Sequence, residues 1–255
     1  MTIIPLGIGS ALSKTAYNTN FLVESSSGKR LLVDCGYTAF RSLLDLRLTF
    51  SHIDGVLITH LHGDHVLGLE RLAIETQIVS KKKIPLWIAD DLADVLWDHV
   101  LSGLLGGTWR DPQTGKTREK TLSDYFLVHR LQPDEPFDAC GISTSAFSVP
   151  HLHGRPAYGY LLQEGQEGKV AMLVPDANGT GEYLPSYGAI ADVIFHDCFS
   201  RVARLPSHTA FTLLEALPEE LREKLILVHG DDDELEAIED LKGMRVARQH
   251  ERFEV

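Results

Sequence analysis

The chain has 255 residues, a formal net charge of −12 and a hydrophobic content of 44%. The length fits one large α/β domain, and the apolar content is ordinary for a globular protein with a sizeable core. The acidic balance disfavours a broad, nonspecific grip on nucleic acid, which needs a basic face, but it is compatible with a local basic patch around one phosphate.

The cysteines and the apolar segments indicate the compartment. Cys35, Cys140 and Cys198 lie far apart and form no C-x-x-C pair, so neither a disulfide framework nor a structural zinc knuckle is indicated. We therefore expect a reducing cytoplasm. The first seven residues lack the charged region and long apolar segment of a signal peptide, and no apolar run approaches the length that spans a bilayer. We expect no membrane partner.

Short apolar runs that predict strands alternate with helical patterns along the chain. The predicted strands are Ile3–Ile8, Asn20–Glu24, Arg30–Asp34, Gly55–Thr59, Pro85–Ala89, Phe126–Leu131, Ser143–Val149, Tyr158–Gln163, Lys169–Val174, Asp192–Phe195, Leu225–Val228 and Arg245–Ala247. The predicted helices are Ala39–Leu48, Val66–Thr76, Asp91–Leu104, Thr209–Leu217 and Asp233–Leu241. No Pro/Ser-rich linker interrupts them, so we expect one domain over residues 1–255, with two sheets and helices outside.

One stretch departs from this alternation. Gly103–Lys120 is rich in glycine, threonine and charge and has little apolar periodicity, which predicts a long loop or a short arm. It contains four basic residues: Arg110, Lys116, Arg118 and Lys120.

A cluster of histidines follows the fourth predicted strand. Residues 60–65 read His-Leu-His-Gly-Asp-His and come directly after the buried run Gly55–Thr59. Imidazole nitrogen and carboxylate oxygen are ligands that Zn²⁺, Mn²⁺ and iron ions accept. Four such side chains on one short loop can serve two adjacent metal ions, so we predict a metal site here.

A metal site needs more ligands than one loop supplies. Other candidates follow or end apolar runs: His151, His153, Asp176 and His229. Strand carboxyl ends on one edge of a sheet are where an α/β active site gathers its residues. Histidines without that placement are predicted to serve at the surface or in ordinary packing: His52, His99, His129 and His250.

The run Thr59–His65, Thr-His-Leu-His-Gly-Asp-His, resembles the signature of the metallo-β-lactamase superfamily. The resemblance covers nearly the whole chain. Leu6–Ser10 is similar to the superfamily's opening strand and glycine turn, and Leu32–Gly36 is similar to its next motif, in which Asp34 would brace the metal loop. The resemblance implies an αββα sandwich of two mixed sheets flanked by helices, with a two-metal site between the sheets.

The same resemblance implies which side chains bind two divalent metal ions. His60 and His62 would bind the first ion, and Asp64 and His65 the second. In ribonuclease Z and related phosphodiesterases, the third histidine of the first ion lies six residues before a Gly-aromatic pair. The implied set is therefore His60, His62, Asp64, His65, His153, Asp176 and His229.

Two members of this set need comment. Gly159 and Tyr160 follow His153 at the distance of six residues, which is why the resemblance selects His153 rather than His151. Asp176 would be the carboxylate shared by both ions, although Val-Pro-Asp-Ala-Asn departs from the Ser/Gly-Asp-Thr usual in that branch.

A second resemblance narrows the branch to ribonuclease Z-like phosphodiesterases. Phe195–Cys198 is similar to the His-Glu-Ala-Thr motif of ribonuclease Z, with Asp197 in place of the glutamate and Cys198 in place of the alanine. Ser207–Ala210 is similar to the His-Ser-Thr stretch that precedes a helix. Alternatively, His196 merely ends a strand and Ser207 caps a helix.

The implied chemistry is phosphodiester hydrolysis. Two close metal ions can hold a bridging hydroxide at neutral pH and neutralise charge on a phosphate oxygen. We expect Asp64 to combine metal binding with holding that hydroxide. The leaving alkoxide then needs a proton, for which His208 is the predicted donor and Asp197 the group that orients it. Zinc is the favoured metal, and manganese or iron fits the same ligands.

The favoured substrate is a small phosphodiester such as a cyclic nucleotide, which agrees with the net charge of −12. The alternative is a transfer RNA 3′-processing endoribonuclease, an enzyme with a long basic arm for which Gly103–Lys120 is short. We expect this stretch to shape the pocket mouth or a dimer contact, since related enzymes are often homodimers. Further alternatives are ester or thioester hydrolysis and a non-catalytic ligand-binding protein on the same fold.

Overall fold

The computed structural model describes residues 1–235 and 237–255. One seven-stranded sheet contains, in spatial order, β16 (Phe253–Glu254), β1 (Thr2–Gly7), β2 (Asn20–Glu24), β3 (Arg30–Val33), β4 (Gly55–Ile58), β5 (Ile84–Ala89) and β8 (Phe126–Leu131). The other contains β15 (Arg245–Val246), β14 (Leu225–Val228), β13 (Val193–Asp197), β12 (Val170–Val174), β11 (Ala157–Gln163), β10 (Ile142–Val149) and β9 (Pro136–Ala139). A separate two-stranded ribbon pairs β6 (Thr108–Arg110) with β7 (Thr117–Glu119).

The α-helices are α1 (Ala39–Asp45), α2 (Gly63–Val66), α3 (Leu69–Glu75), α4 (Asp90–Leu96), α5 (Ser102–Leu105), α6 (Tyr183–Ile190), α7 (Phe211–Leu214) and α8 (Glu219–Arg222). Turns of π-helix follow α3 over Thr76–Ser80 and join α4 to α5 over Trp97–Leu101. Short 3₁₀ turns span Phe50–His52, Leu122–Asp124 and Asp232–Glu234. The predicted αββα sandwich, with two mixed sheets flanked by helices, is confirmed.

The sheets meet through an apolar core. The ring of Phe21 in β2 packs edge-on against that of Phe195 in β13, with centroids 5.4 Å apart. Both side chains are fully buried. The parallel strands at the centre of each sheet are covered on both faces, and they read as continuous apolar runs such as Leu225–Val228.

The parallel strands point their carboxyl ends at one edge of each sheet. In the first sheet β3, β4, β5 and β8 run parallel, and in the second β12, β13, β14 and β15 do so. β4 ends just before His60, β12 before Asp176, and β14 before His229. This topology carries the predicted ligands to a common edge.

All twelve predicted strands form, with ends within two residues of expectation. The unpredicted strands are short and lie at edges or in the ribbon: β6, β7, β9 and β16. Helix α6 was also unpredicted, because Pro185 and Gly188 lie inside it. Pro185 falls in the first turn, where its missing N–H leaves no hydrogen bond unmade.

Two predicted helices differ in the structure. The helix expected over Thr209–Leu217 is reduced to the single turn α7. The helix expected over Asp233–Leu241 is replaced by the 3₁₀ turn Asp232–Glu234, and none of residues 237–241 is helical. Glu236, which belongs to that prediction, lies outside the described residues.

The stretch Gly103–Lys120 is an ordered arm. It completes α5 and then forms the β6–β7 ribbon, in which Trp109 pairs with Arg118 across the strands. The Arg118 guanidinium lies 5.0 Å from the Trp109 ring centroid and also binds the Asp124 carboxylate with both terminal nitrogens. In the described part of the chain, no helix combines the length and apolar character that crossing a membrane requires.

Candidate metal centre

Two residues that follow strands at the centre have left-handed backbone conformations. Asp34 after β3 and His229 after β14 have φ values of 62° and 65°. This region is uncommon for residues other than glycine and costs about 1–3 kcal/mol each. Both side chains are fully buried, and both reach the histidine cluster. Strain of this kind is typical of functional sites.

The Asp34 carboxylate organises the histidine loop. Its Oδ1 accepts a hydrogen bond from the Thr59 amide at 2.8 Å, and its Oδ2 accepts from Thr59 Oγ1 at 2.7 Å and His65 Nδ1 at 2.8 Å. Because Nδ1 of His65 donates to Asp34, Nε2 is the ring nitrogen that faces Asp64, whose Oδ2 lies 3.2 Å away. The predicted bracing of the loop by Asp34 therefore consists of three hydrogen bonds.

Thr59 extends this hydrogen-bond network to His60. Its hydroxyl proton is given to Asp34, so its oxygen can only accept from His60 Nδ1, which lies 3.0 Å away. That assigns the proton of His60 to Nδ1 and the lone pair to Nε2. The Nε2 atom in turn lies 3.3 Å from Asp176 Oδ2.

Gly36 is required by a close approach to the loop. A Cβ atom built on Gly36 would lie 1.7 Å from the Asp64 carbonyl oxygen. The Asn20 side chain holds the two segments together, accepting from the Gly36 amide at 2.6 Å and donating to the Asp64 carbonyl at 3.2 Å. The glycine of the Leu-Val-Asp-Cys-Gly motif thus fixes where Asp64 sits.

A first group of four possible ligands lies around Asp176. One ligand atom from each of its members falls within 4.8 Å of the others: His60, His62, His151 and Asp176. His151 Nε2 is 3.2 Å from His62 Nδ1, and His151 Nδ1 is 3.5 Å from Asp176 Oδ1. His151 Nδ1 also lies 3.1 Å from the Ser207 carbonyl, which accepts its proton and orients the ring.

The structure corrects the choice between the two histidines after β10. His151 joins the group, whereas His153 is exposed and belongs to no cluster of possible ligands among the described residues. β10 ends at Val149, and the turn beyond His151 carries the chain out to solvent before β11 begins. Only the residue nearest the strand end reaches the centre, so the six-residue spacing to Gly159 does not apply here.

A second group adjoins the first. Asp64, His65 and His229 bring one ligand atom each within 4.8 Å of one another. His229 Nε2 lies 3.9 Å from Asp64 Oδ2 and 3.6 Å from Asp176 Oδ2. Asp176 therefore stands between the two groups, as a shared carboxylate must.

The polar atoms without a hydrogen-bond partner indicate whether cations fit this cluster. Several buried ring nitrogens and carboxylate oxygens have no hydrogen-bond partner among the described residues: His60 Nε2, Asp64 Oδ2, His65 Nε2, Asp176 Oδ1 and His229 Nε2. Each unsatisfied buried group costs about 1–3 kcal/mol, so their convergence at one point calls for a ligand. A donor set of imidazole nitrogen and carboxylate oxygen fits divalent zinc, manganese or iron.

The pKa values of three of these histidines agree with this use, whereas burial alone would lower the pKa of His65 but Asp64 and Asp34 raise it well above its usual range. Burial lowers the pKa of His60, that of His151 to about 4 and that of His229 to about 3, so these imidazoles are neutral near pH 7 and can act as ligands. Burial alone would raise the pKa of Asp176, but His229 and the neighbouring histidines outweigh it and hold that pKa well below its usual range. The shared carboxylate is therefore charged.

His208 and Asp197 lie against the shared carboxylate. His208 Nδ1 is 2.9 Å from Asp176 Oδ1 and 3.6 Å from Asp197 Oδ2. Burial alone would lower the pKa of His208, but the two carboxylates raise it to about 10. Burial raises the pKa of Asp197 to about 7. The Thr209 amide donates to Asp197 Oδ2 at 2.9 Å and keeps the carboxylate facing His208.

The neighbouring motif residues have structural contacts that the sequence did not indicate. The residue that precedes α7 is Ala210, so Ser207 does not cap the helix, and its carbonyl orients His151 instead. His196 is fully buried; its Nδ1 donates to the Asp197 carbonyl at 2.7 Å, and its Nε2 lies 2.7 Å from Tyr183 Oη. It anchors the strand end that carries Asp197.

Known structures share this fold along the whole chain. A new diphosphatase from the PhnP family superposes with a TM-score of 0.77 at 18% identity, covering 100% of this chain and 97% of its own. Human tRNase Z, short form (ELAC1), gives 0.72 at 20% identity, covering 100% and 99%.

Sequence relatives are more similar than these. The anti-Pycsar protein Apyc1 of Bacillus phage 010DV004 is 33% identical over 240 residues, covering 91% of this chain and 90% of its own. That of Paenibacillus xerothermodurans is 30% identical over 260 residues, covering 97% and 95%. A family model described as anti-Pycsar protein Apyc1 matches residues 1–253. This chain therefore belongs to the anti-Pycsar protein Apyc1 family, on a metallo-β-lactamase fold.

Proposed function

We propose that this protein is a two-metal phosphodiesterase that hydrolyses a small phosphodiester such as a cyclic nucleotide. The observation that carries the proposal is the pair of adjoining ligand groups, in which Asp176 of the first lies 3.6 Å from His229 of the second and His208 lies against the same carboxylate. The fold neighbours named as a diphosphatase and as tRNase Z make phosphoester substrates the natural first choice.

Seven side chains would hold the ions. The first ion would take His60, His62 and His151, the second would take Asp64, His65 and His229, and Asp176 would serve both. When bound, a pair of divalent cations supplies an activated water and neutralises charge on the phosphate. Zinc is favoured by the nitrogen-rich ligands, with manganese or iron as alternatives.

The remaining chemistry falls to the side chains around the ions. Asp64 Oδ2 has no hydrogen-bond partner among the described residues and can accept one from the attacking water. Cleavage of the phosphodiester leaves an alkoxide that needs a proton. His208 is the proposed donor, because its Nδ1 faces the two carboxylates and its Nε2 lies at the opposite side of the ring. Asp197 orients it.

The charges of the arm favour the small substrate over RNA. Arg118 is neutralised by Asp124, and Glu119 lies beside it in β7. Nonspecific binding to RNA rests on many free cations that neutralise phosphates. The arm leaves three basic side chains without an ion pair among the described residues, Arg110, Lys116 and Lys120, which is few for an RNA-binding arm on a chain with a net charge of −12.

Metal removal tests the proposal. We expect stripping with a chelator to abolish hydrolysis of cyclic AMP and bis-p-nitrophenyl phosphate, and Zn²⁺ or Mn²⁺ to restore it. Precursor transfer RNA and p-nitrophenyl acetate complete the substrate panel. Activity that survives full chelation would contradict the proposal. Cleavage of the RNA alone would favour an enzyme of transfer RNA processing. Turnover of the acetate alone would favour an esterase, and stable binding of the nucleotide without product would favour a binding protein.

We propose further that the chain is a homodimer and that an apolar surface beside the arm forms the contact. Ile78 and Val79 on the π-helical turn after α3 are 69% and 65% exposed, and Trp109 of the ribbon is 40% exposed. Gln77 Nε2 donates to the Asp124 carbonyl, which ties that turn to the foot of the ribbon. Neighbouring exposed apolar side chains such as Ile78 and Val79 are candidates for a protein contact.

The oligomeric state checks this second proposal. We expect light scattering with size exclusion to give a dimer for the wild type and a monomer for the double variant Ile78→Asp, Val79→Asp. A matched control is Ile190→Asp at the end of α6, where the side chain is 60% exposed. A dimer that persists in the double variant, or is lost in the control, would place the contact elsewhere.

A further inference from the structure

The ring of His208 lies flat against Phe199. The two ring centroids are 4.8 Å apart and the planes differ by 14°. Phe199 is buried, with 4% of its surface exposed, and it comes two residues after Asp197 at the end of β13. The motif resemblance covered Asp197 and its neighbour Cys198 and assigned nothing to Phe199.

The backbone holds Phe199 between the two segments that flank the site. Its amide donates to the Thr209 carbonyl at 3.0 Å, and its own carbonyl accepts from the Asp231 amide at 2.9 Å. Thr209 is the residue after His208, and Asp231 comes two residues after His229. A bridge between Ser200 and Ala210 extends the pairing. Phe199 is therefore fixed relative to both histidines.

The carboxylates alone do not fix the imidazole. His208 Nδ1 approaches Asp176 to 2.9 Å and Asp197 to 3.6 Å, yet it makes no hydrogen bond of acceptable geometry with any described residue. Rotation of an imidazole about its Cβ–Cγ bond is broad and nearly two-fold. Phe199 stacks on the imidazole at an interplanar angle of 14° and so restricts the plane of the ring.

We propose that Phe199 is a positioning residue that sets the plane of the His208 ring and so aims Nε2 at the leaving oxygen. The inference rests on the proposed role of His208 as proton donor. In the step it serves, the oxygen of the attacking water bonds to phosphorus, the P–O bond to the leaving group breaks with its electron pair on the leaving oxygen, and the Nε2 proton passes to that oxygen. A ring turned out of this plane no longer aims Nε2 at the leaving group.

The leaving group provides the test. The alkoxide of cyclic AMP needs the proton, whereas p-nitrophenolate leaves readily without it. For Phe199→Leu we expect kcat on cyclic AMP to fall by about 10-fold or more, because small misplacements of a catalytic group can cost about 100-fold. We expect kcat on bis-p-nitrophenyl phosphate to stay within about two-fold, with KM and metal content unchanged. Phe199→Tyr, which keeps the flat ring, should restore the cyclic AMP rate.

Two outcomes would overturn the inference. Equal loss on both substrates would assign Phe199 to folding or metal retention, and unchanged rates on both would show that the stacking has no catalytic use. Phe199→Met gives a second variant without a flat ring, should Phe199→Leu fail to fold. His208→Ala separates the two proposals. If His208→Ala also slows the two substrates equally, His208 is not the proton donor, and the positioning role of Phe199 fails with it.

Discussion

Replacing His151 by alanine is expected to lower phosphodiesterase activity by more than about 100-fold and to reduce the metal content, whereas His153→Ala leaves both unchanged. His151 Nε2 lies 3.2 Å from His62 Nδ1, and its Nδ1 is 3.5 Å from Asp176. Removing even an outer partner of a metal ligand typically costs about 10- to 100-fold, so loss of a ligand should cost more. Elemental analysis and kcat/KM on cyclic AMP measure the two effects.

His153→Ala is a closely matched control. The same side chain is removed only two residues away, from an exposed position. Both variants remove one imidazole from the same loop and leave β10 and β11 intact, so His153→Ala controls for a change in the loop itself. If His153→Ala loses the metal and His151→Ala keeps it, the third histidine is the one that the motif spacing selected, and the loop takes a different path.

The contrast between these histidines shows where sequence reasoning reaches its limit. Asp176 and His229 could be predicted because each ends a buried strand, and parallel strands bring their carboxyl ends to one edge. His151 and His153 both follow β10, and which of them turns inward depends on the path of a loop. That path is held by the Ser207 carbonyl, 56 residues further along the chain. No local pattern records such a contact.

The same limit applies to the contacts around the ligands. The motif indicated Asp34 as a brace, but the link from Asp34 through Thr59 to His60 depends on which atom carries each proton. In the fold, strands with long apolar runs were predictable, while β9 and β16 were missed. Each is a short edge strand: β16 is determined by its pairing with the distant β1, and β9, which begins at Pro136, by a tight hairpin with the adjacent β10. Phe199 gave no sequence signal, since a buried aromatic is ordinary core by pattern.

His208→Ala is expected to slow cyclic AMP hydrolysis by on the order of 100-fold or more, the usual contribution of general acid catalysis. Hydrolysis of bis-p-nitrophenyl phosphate should fall far less, since its leaving group needs no proton. If the protein is instead an ester or thioester hydrolase, His208→Ala should change the rate of ester or thioester hydrolysis little. The exposed His99 supplies the control, because His99→Ala removes an imidazole that belongs to neither ligand group.

The activities that His208→Ala lowers distinguish the roles of the two contacts that His208 makes. The imidazole lies 2.9 Å from Asp176, which would bind both ions, and 3.6 Å from Asp197, which touches neither ligand group. If His208 acts by holding Asp176 in place, His208→Ala should lower the metal content and slow both phosphodiesters equally. If it acts as the proton donor, the metal content stays at its wild-type value and only the alkoxide substrate suffers. Asp197→Asn should then reproduce the selective loss in weaker form, because an amide still packs against the ring but no longer attracts its proton.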